Sequence, residues 1–168
     1  MNFQYEWCMP NKWTFDMKPI LAFIESELFK HKKVLIPFAG KKRWIAHSGI
    51  TYIDIEDDRP QPYLLGDCLE ILPTLKDKYS LIILDPPFSF FQAVHSYNNI
   101  KMQDITRVKQ LCDKLLTTNG VMIHCGFNST GMGKKYGYIK KDLLLVNTGG
   151  SHNDFIILKE VKKQKTLV

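Results

Sequence analysis

No apolar run in this chain approaches the roughly 20 residues that a bilayer-spanning helix needs. The opening stretch, MNFQYEWCMPNKW, has no basic segment followed by an apolar one. Neither a membrane span nor an export signal is expected, and the expected setting is the cytoplasm. Cysteine is sparse: Cys8, Cys68, Cys112 and Cys125 form no CxxC pair. Buried free thiols are therefore expected, and a metal centre is not. No internal repeat and no linker rich in Gly, Pro or Ser divides the 168 residues. That length suits one domain with a substantial core, so a single domain over 1–168 is expected. Acids are also short: 17 Asp and Glu against 23 Lys and Arg give a net charge of +6 and a pI near 9.1. This excess favours a polyanionic partner such as nucleic acid.

What is present alternates short apolar runs with amphipathic stretches, the pattern of a parallel α/β sheet. KPILAFIESELFK (18–30) places Ile20, Phe23, Ile24 and Leu28 on one helical face. Strands are expected at 34–38, 50–56, around 63–65, at 80–85 and at 121–126. Helices are expected at 41–48, 68–75 and 102–116, the last followed by Asn119-Gly120 as a stop signal. SLIILD is the continuous apolar run of a strand buried on both faces. Segments 138–146 and 154–161 read as two adjacent strands with no helix between them, an antiparallel pair closing one edge.

In an open α/β sheet, ligands bind beyond the carboxyl ends of the strands. The residues that follow each strand therefore carry the functional reading. They are Pro37-Phe38-Ala39-Gly40 after the first, Asp54 and Glu56 at the second, Gly66-Asp67 after the third, and Asp85-Pro86-Pro87-Phe88 after the fourth.

VLIPFAG, YIDIE, LLGD and LIILDPPF, in this order and spacing, resemble the S-adenosylmethionine-dependent amino-methyltransferases over roughly residues 13–160. DPPF is similar to their (D/N/S)-P-P-(Y/F/W) signature. The resemblance implies a class I methyltransferase-like (Rossmann-like) fold, a mostly parallel sheet with an antiparallel edge strand. It implies S-adenosyl-L-methionine as cofactor and methyl transfer to the exocyclic N6 of adenine in nucleic acid, with DNA placed slightly ahead of RNA. An exocyclic amine is a poor nucleophile because its lone pair is delocalised into the ring. Asp85 and the Pro86 carbonyl, on a backbone stiffened by Pro86 and Pro87, can accept its two N–H bonds and free that pair. Phe88 can stack on the base, and a paired base must first be flipped out.

For the cofactor, the resemblance assigns Asp54 to the ribose hydroxyls, with Glu56 as the competing choice. Asp67, with the Cys68 backbone nearby, is matched to the adenine amino group. Pro37, Phe38, Ala39 and Gly40 form the turn under the methionine part. The family's D-P-F-A-G-S-G here reads Ile36-Pro37-Phe38-Ala39-Gly40-Lys41-Lys42, so the acid and the second glycine are lost. The segment Trp13–Lys18 is the expected compensation, with Lys18 offered to the cofactor's carboxylate. Asn147, His152 and Asn153 are candidate base contacts, with a plain hairpin turn as the alternative, and His95, Tyr97 and Asn98 fall in an expected lid. Phe90 and Phe91 read equally as core or as substrate contacts. No stretch is long enough for a separate target-recognition domain, so a homodimer, a specificity subunit or an RNA read by its shape is expected to supply specificity. A catalytically silent nucleic-acid-binding or partner subunit is the rival from another class. A glutamine methyltransferase is disfavoured because the signature begins with Asp85.

Overall fold

The computed structural model describes residues 1–87, 104–150 and 153–163. Its strands are β1 (Asn2–Trp7), β2 (Val34–Ile36), β3 (Ile50–Asp54), β4 (Leu64–Leu65), β5 (Tyr79–Leu84), β6 (Leu116–Gly126), β7 (Tyr138–Asn147) and β8 (Phe155–Lys162). Its helices are α1 (Lys18–Leu28), α2 (Cys68–Ile71) and α3 (Ile105–Leu115). The strands form one sheet in the order β1-β7-β8-β6-β5-β2-β3-β4. All neighbouring pairs are parallel except those of β8, which runs antiparallel to both β6 and β7.

The apolar pattern explains the layers. Ile20, Phe23, Ile24 and Leu28 of α1 cover one face of the sheet, against Ile36, Ile83, Ile123 and Ile157. Val108, Leu111, Cys112 and Leu115 of α3 cover the other, against Leu35, Ile82, Leu84 and Met122. Pro19 opens α1, where a missing N–H costs nothing, and the Asp104 carboxylate caps α3 by accepting from the Arg107 amide at 3.0 Å. Cys68, Cys112 and Cys125 are buried free thiols as expected, while Cys8 is half-buried.

Three features depart from the sequence reading. First, residues 41–48 form turns and no helix. Three consecutive cations, Lys41-Lys42-Arg43, leave no apolar face, and tertiary anchors decide the path. Trp44 is buried against Phe15 with ring centroids 5.6 Å apart, its indole N–H donates to Glu25, and its amide donates to the Tyr52 hydroxyl. Second, Asn119-Gly120 does not end a segment before a strand. β6 begins directly after α3, and the pairing jumps from Tyr79↔Leu116 to Leu81↔Val121. The excursion is turned by Asn119 in the left-handed region, φ 61°. Third, the pair β7–β8 forms as expected, but the sheet continues beyond it. β1, assigned to no element from the sequence, pairs in parallel with β7 from Asn2↔Asp142 to Trp7↔Asn147.

β1 has a positional consequence. Being parallel to β7, it delivers the chain to the same rim as the tips of β5, β2 and β3. Residues 8–13 then cross from the β1 edge to the tip of β2, spanning five strand spacings, about 24 Å. The segment, bent at Lys12 and Trp13, is a strap that joins the β1 edge to the turn after β2, where the Trp13 ring lies over Gly40.

Behind that rim lies a buried acid, Glu160, which accepts from the Met132 amide at 2.6 Å and approaches His124 Nε2 at 3.2 Å. Burial opposes its ionisation, but His124 and the Met132 and Gly133 amides outweigh this and hold its carboxyl below the usual value. Burial keeps His124 below the usual imidazole value. Both depressed groups contribute stability above their unfolded values, 6.5 for His124 and 4.5 for Glu160, which is lost as pH falls. Glu160→Ala is expected to cost about 3 kcal/mol at neutral pH by leaving buried partners unpaired. An unchanged denaturation midpoint would remove this pin from the account.

Candidate active site

The tips of β2, β3 and β4 are laced together by the residues singled out for the cofactor. The Ala39 amide donates to the Ile53 carbonyl at 3.0 Å, and the Gly66 amide donates to the Asp54 carbonyl at 2.9 Å. The Gly40 amide donates to Asp54 Oδ2 at 2.7 Å, and the Cys68 thiol donates to the Pro37 carbonyl at 2.7 Å. Gly40 has φ 53°, the conformation that favours glycine. Asp67 caps α2, its Oδ1 accepting from the Leu69 amide at 2.7 Å. Pro37 and Ala39 are buried, and Phe38 packs on the α3-side core.

Asp54 is heavily engaged. Besides Gly40 it accepts from the Glu56 amide at 3.1 Å, and Arg59 Nε lies 3.5 Å from its Oδ1. Arg59, buried although charged, also pairs with Glu56 at 2.8 Å and with Asp58 at 2.5 Å. Glu56 Oε1 is buried with no hydrogen-bond partner among the described residues. An orphaned carboxylate oxygen beside a glycine turn is what a ligand hydroxyl would satisfy. Asp54 thus shapes the turn, and Glu56 offers the free acceptor.

Asp85 stands one strand away. β2 and β5 are neighbours in the sheet, paired through Leu35↔Ile82, so Asp85, just after β5, and the Pro37–Gly40 turn, just after β2, follow adjacent parallel strands. Burial lifts the Asp85 carboxyl to about 7, and the Thr14 hydroxyl, which hydrogen-bonds to it, opposes the rise. Its Oδ1 is buried and unpartnered among the described residues. Asp85, Pro86 and Pro87 are each partly exposed, so the elbow opens outward from this buried oxygen. Phe88, Phe90, Phe91, His95, Tyr97, Asn98 and His152 lie outside the described residues. Asn147 and Asn153 lie together in the β7–β8 turn, where Asn147 Nδ2 donates to Asp154 at 3.0 Å and the Asn153 carbonyl accepts from the Thr148 hydroxyl.

Lys18 is exposed and lines a groove of about 740 Å³ between α1 and β1, with Gln4, Glu6 and Lys30. No described contact joins it to the Gly40 turn. Ile36, standing where the resemblance has an acid, is fully buried in the α1-side core. The sequence reading missed two residues. Thr14, directly after the strap, falls in the Trp13–Lys18 segment singled out for the cofactor, but its hydrogen bond to Asp85 crosses 71 positions that no local pattern links. Arg59 follows four acidic or apolar residues (Ile55 to Asp58), and only the run of acids before it hinted at a pairing role. Among the described residues no cluster of His, Cys, Asp and Glu could hold a metal ion.

Neither a family model nor a curated protein matches the sequence. Solved structures do. 1,6-didemethyltoxoflavin-N1-methyltransferase of Burkholderia thailandensis, solved with S-adenosylhomocysteine, matches with TM-score 0.60 at 11% identity, over 88% of this chain and 78% of that one. An rRNA methylase of Streptococcus thermophilus matches with TM-score 0.59 at 7% identity, over 86% and 96%. TrmN of Thermus thermophilus matches with TM-score 0.56 at 14% identity over 86% of this chain, which spans only 48% of that protein. The chain therefore has the class I methyltransferase fold: a mostly parallel α/β sheet, with β8 supplying the antiparallel strand.

Proposed function

We propose that this chain transfers a methyl group from S-adenosyl-L-methionine to the N6 of adenine in nucleic acid, with DNA ahead of RNA. The observation that carries the reading is the Asp85-Pro86-Pro87 elbow at the tip of β5, with a buried carboxylate oxygen that has no partner among the described residues, one strand from the laced glycine turn. When bound, the cofactor supplies an electrophilic methyl on a sulfonium. The chain's own part is to hold the amine. Asp85, ionised, accepts one N–H and the Pro86 carbonyl the other, so the nitrogen lone pair turns away from the ring toward the donor. The Gly40 turn, Glu56 and Asp67 are the residues that fit the cofactor's methionine, ribose and adenine. The neighbours named for methylation support the class of chemistry; the DPPF resemblance supports the choice of adenine. The test is mass spectrometry of nucleosides from DNA and RNA after incubation with cofactor. N6-methyladenine in neither polymer defeats the reading.

Asp54→Ala is expected to weaken S-adenosylhomocysteine about 10- to 100-fold in calorimetry, because the Gly40 and Glu56 amides lose their acceptor, at about 1–3 kcal/mol each. Glu56→Gln is expected to weaken it while leaving the turn intact. Unchanged affinity in both would detach this rim from the cofactor. Ile36 and Lys42, standing where the resembling family has an acid and a glycine, favour one second reading, a silent member that binds nucleic acid or a partner. Wild-type protein giving no heat with S-adenosylhomocysteine would establish it.

A further inference from the structure

The segment joining strap and glycine turn gathers cations. Lys12 Nζ and Lys41 Nζ each lie 5.2 Å from the centre of the Trp13 ring, and Arg59 lies 5.3 Å from it. Lys42 Nζ lies 5.9 Å from the Trp44 ring and 4.0 Å from Asp16. Arg59 is neutralised by Asp54, Glu56 and Asp58. Lys12 and Lys41 are exposed and make no ion pair among the described residues. Their attraction to the indole is worth only about 0.5–1 kcal/mol each, too little to offset holding like charges on one ring. An uncompensated pair of this kind fits an anion. Its address is specific: Trp13 lies over Gly40, 3.6 Å from where a Cβ would stand, and the next residue, Thr14, hydrogen-bonds to Asp85.

We infer that Lys12 and Lys41, gathered on Trp13 with Lys42 beside them, bind the backbone phosphates of the strand whose target base enters at Asp85. This rests on the nucleic-acid reading above and adds the surface that reads the polymer's charge. Lys41 and Lys42 stand where the resembling family has Ser and Gly, so this chain has placed cations at the cofactor turn itself.

The test is fluorescence anisotropy of a labelled adenine-containing single strand, as DNA and as RNA, titrated between 50 and 200 mM salt. Each phosphate contact contributes about 0.7 to the slope of log K against log salt. Lys12→Ala/Lys41→Ala is expected to flatten the slope by about 1.4 and to lower affinity at low salt about 10-fold or more. S-adenosylhomocysteine affinity is measured alongside, because Lys41 directly follows the Gly40 turn, and the change in salt slope decides the inference. Lys32→Ala/Lys76→Ala, at the opposite edge of the strands, is expected to leave the slope unchanged. A wild-type slope in the first variant, or a loss confined to S-adenosylhomocysteine, overturns the inference and leaves the nucleic-acid reading standing. Wild-type protein that binds neither polymer overturns that reading itself.

Discussion

Asp85→Asn is expected to lose methyl transfer by about 10²- to 10³-fold, the range for removing one preorganised electrostatic group, and to become more stable at pH 8. The two effects have one origin. Burial raises the carboxyl from 3.8 to about 7, so the folded protein resists the charge that the proposed methyl transfer would need. The stability this group contributes is fully present below 3.8, where it is protonated in both states, and is lost as pH rises to about 7. The shift corresponds to at most about 4 kcal/mol, and the neutral amide escapes that cost. Activity has the opposite sign: only the ionised acid accepts from the amine, so kcat/KM of the wild type rises with pH and levels off above about 7. Thermal midpoints of both proteins at pH 5 and pH 8, with a pH–rate profile, check both halves. A variant with wild-type turnover would remove Asp85 from the chemistry.

Gly49→Ala is expected to be the most damaging small substitution in the described chain, costing about 3 kcal/mol or more. An added Cβ would stand 1.8 Å from the Lys32 carbonyl oxygen and 3.0 Å from its carbon, both backbone atoms. The segments cannot part cheaply. The Val34 amide donates to the Gly49 carbonyl at 3.0 Å, and His47 Nε2 lies 2.6 Å from the His31 carbonyl. Gly150→Ala, where an added Cβ meets no described atom within 4 Å, is the control and is expected to be neutral. Equal denaturant midpoints for the two variants would contradict the close approach.

The parts of this fold legible in the sequence are those written in local periodicity. The face Ile20–Phe23–Ile24–Leu28 dictates α1, and the run SLIILD dictates a strand buried on both sides. The strand-tip residues were legible because a doubly wound sheet brings its carboxyl ends to one place, so Gly40, Asp54 and Asp85 converge once the strands are right. What was hidden depends on contacts distant in sequence. Trp44 and Gly49 hold 41–48 in turns through Phe15, Tyr52 and Lys32. β1 has alternating polar and aromatic residues, but its strand character exists only by pairing with residues 142–147. The division of labour between Asp54 and Glu56 was illegible for a similar reason: it turns on Arg59 and on which oxygen the Gly40 amide reaches.

The pairing Asn2↔Asp142 joins residues 140 positions apart. Loop closure of that length is entropically demanding and slow compared with local contacts. During synthesis the first seven residues have no partner until β7 has left the ribosome, so Lys12, Trp13 and Thr14 are not drawn across the sheet until then. A nascent chain carrying every strand from β2 to β6 therefore still lacks the pairing that carries Lys12, Trp13 and Thr14 to the carboxyl rim, and gains it only once β7 has formed.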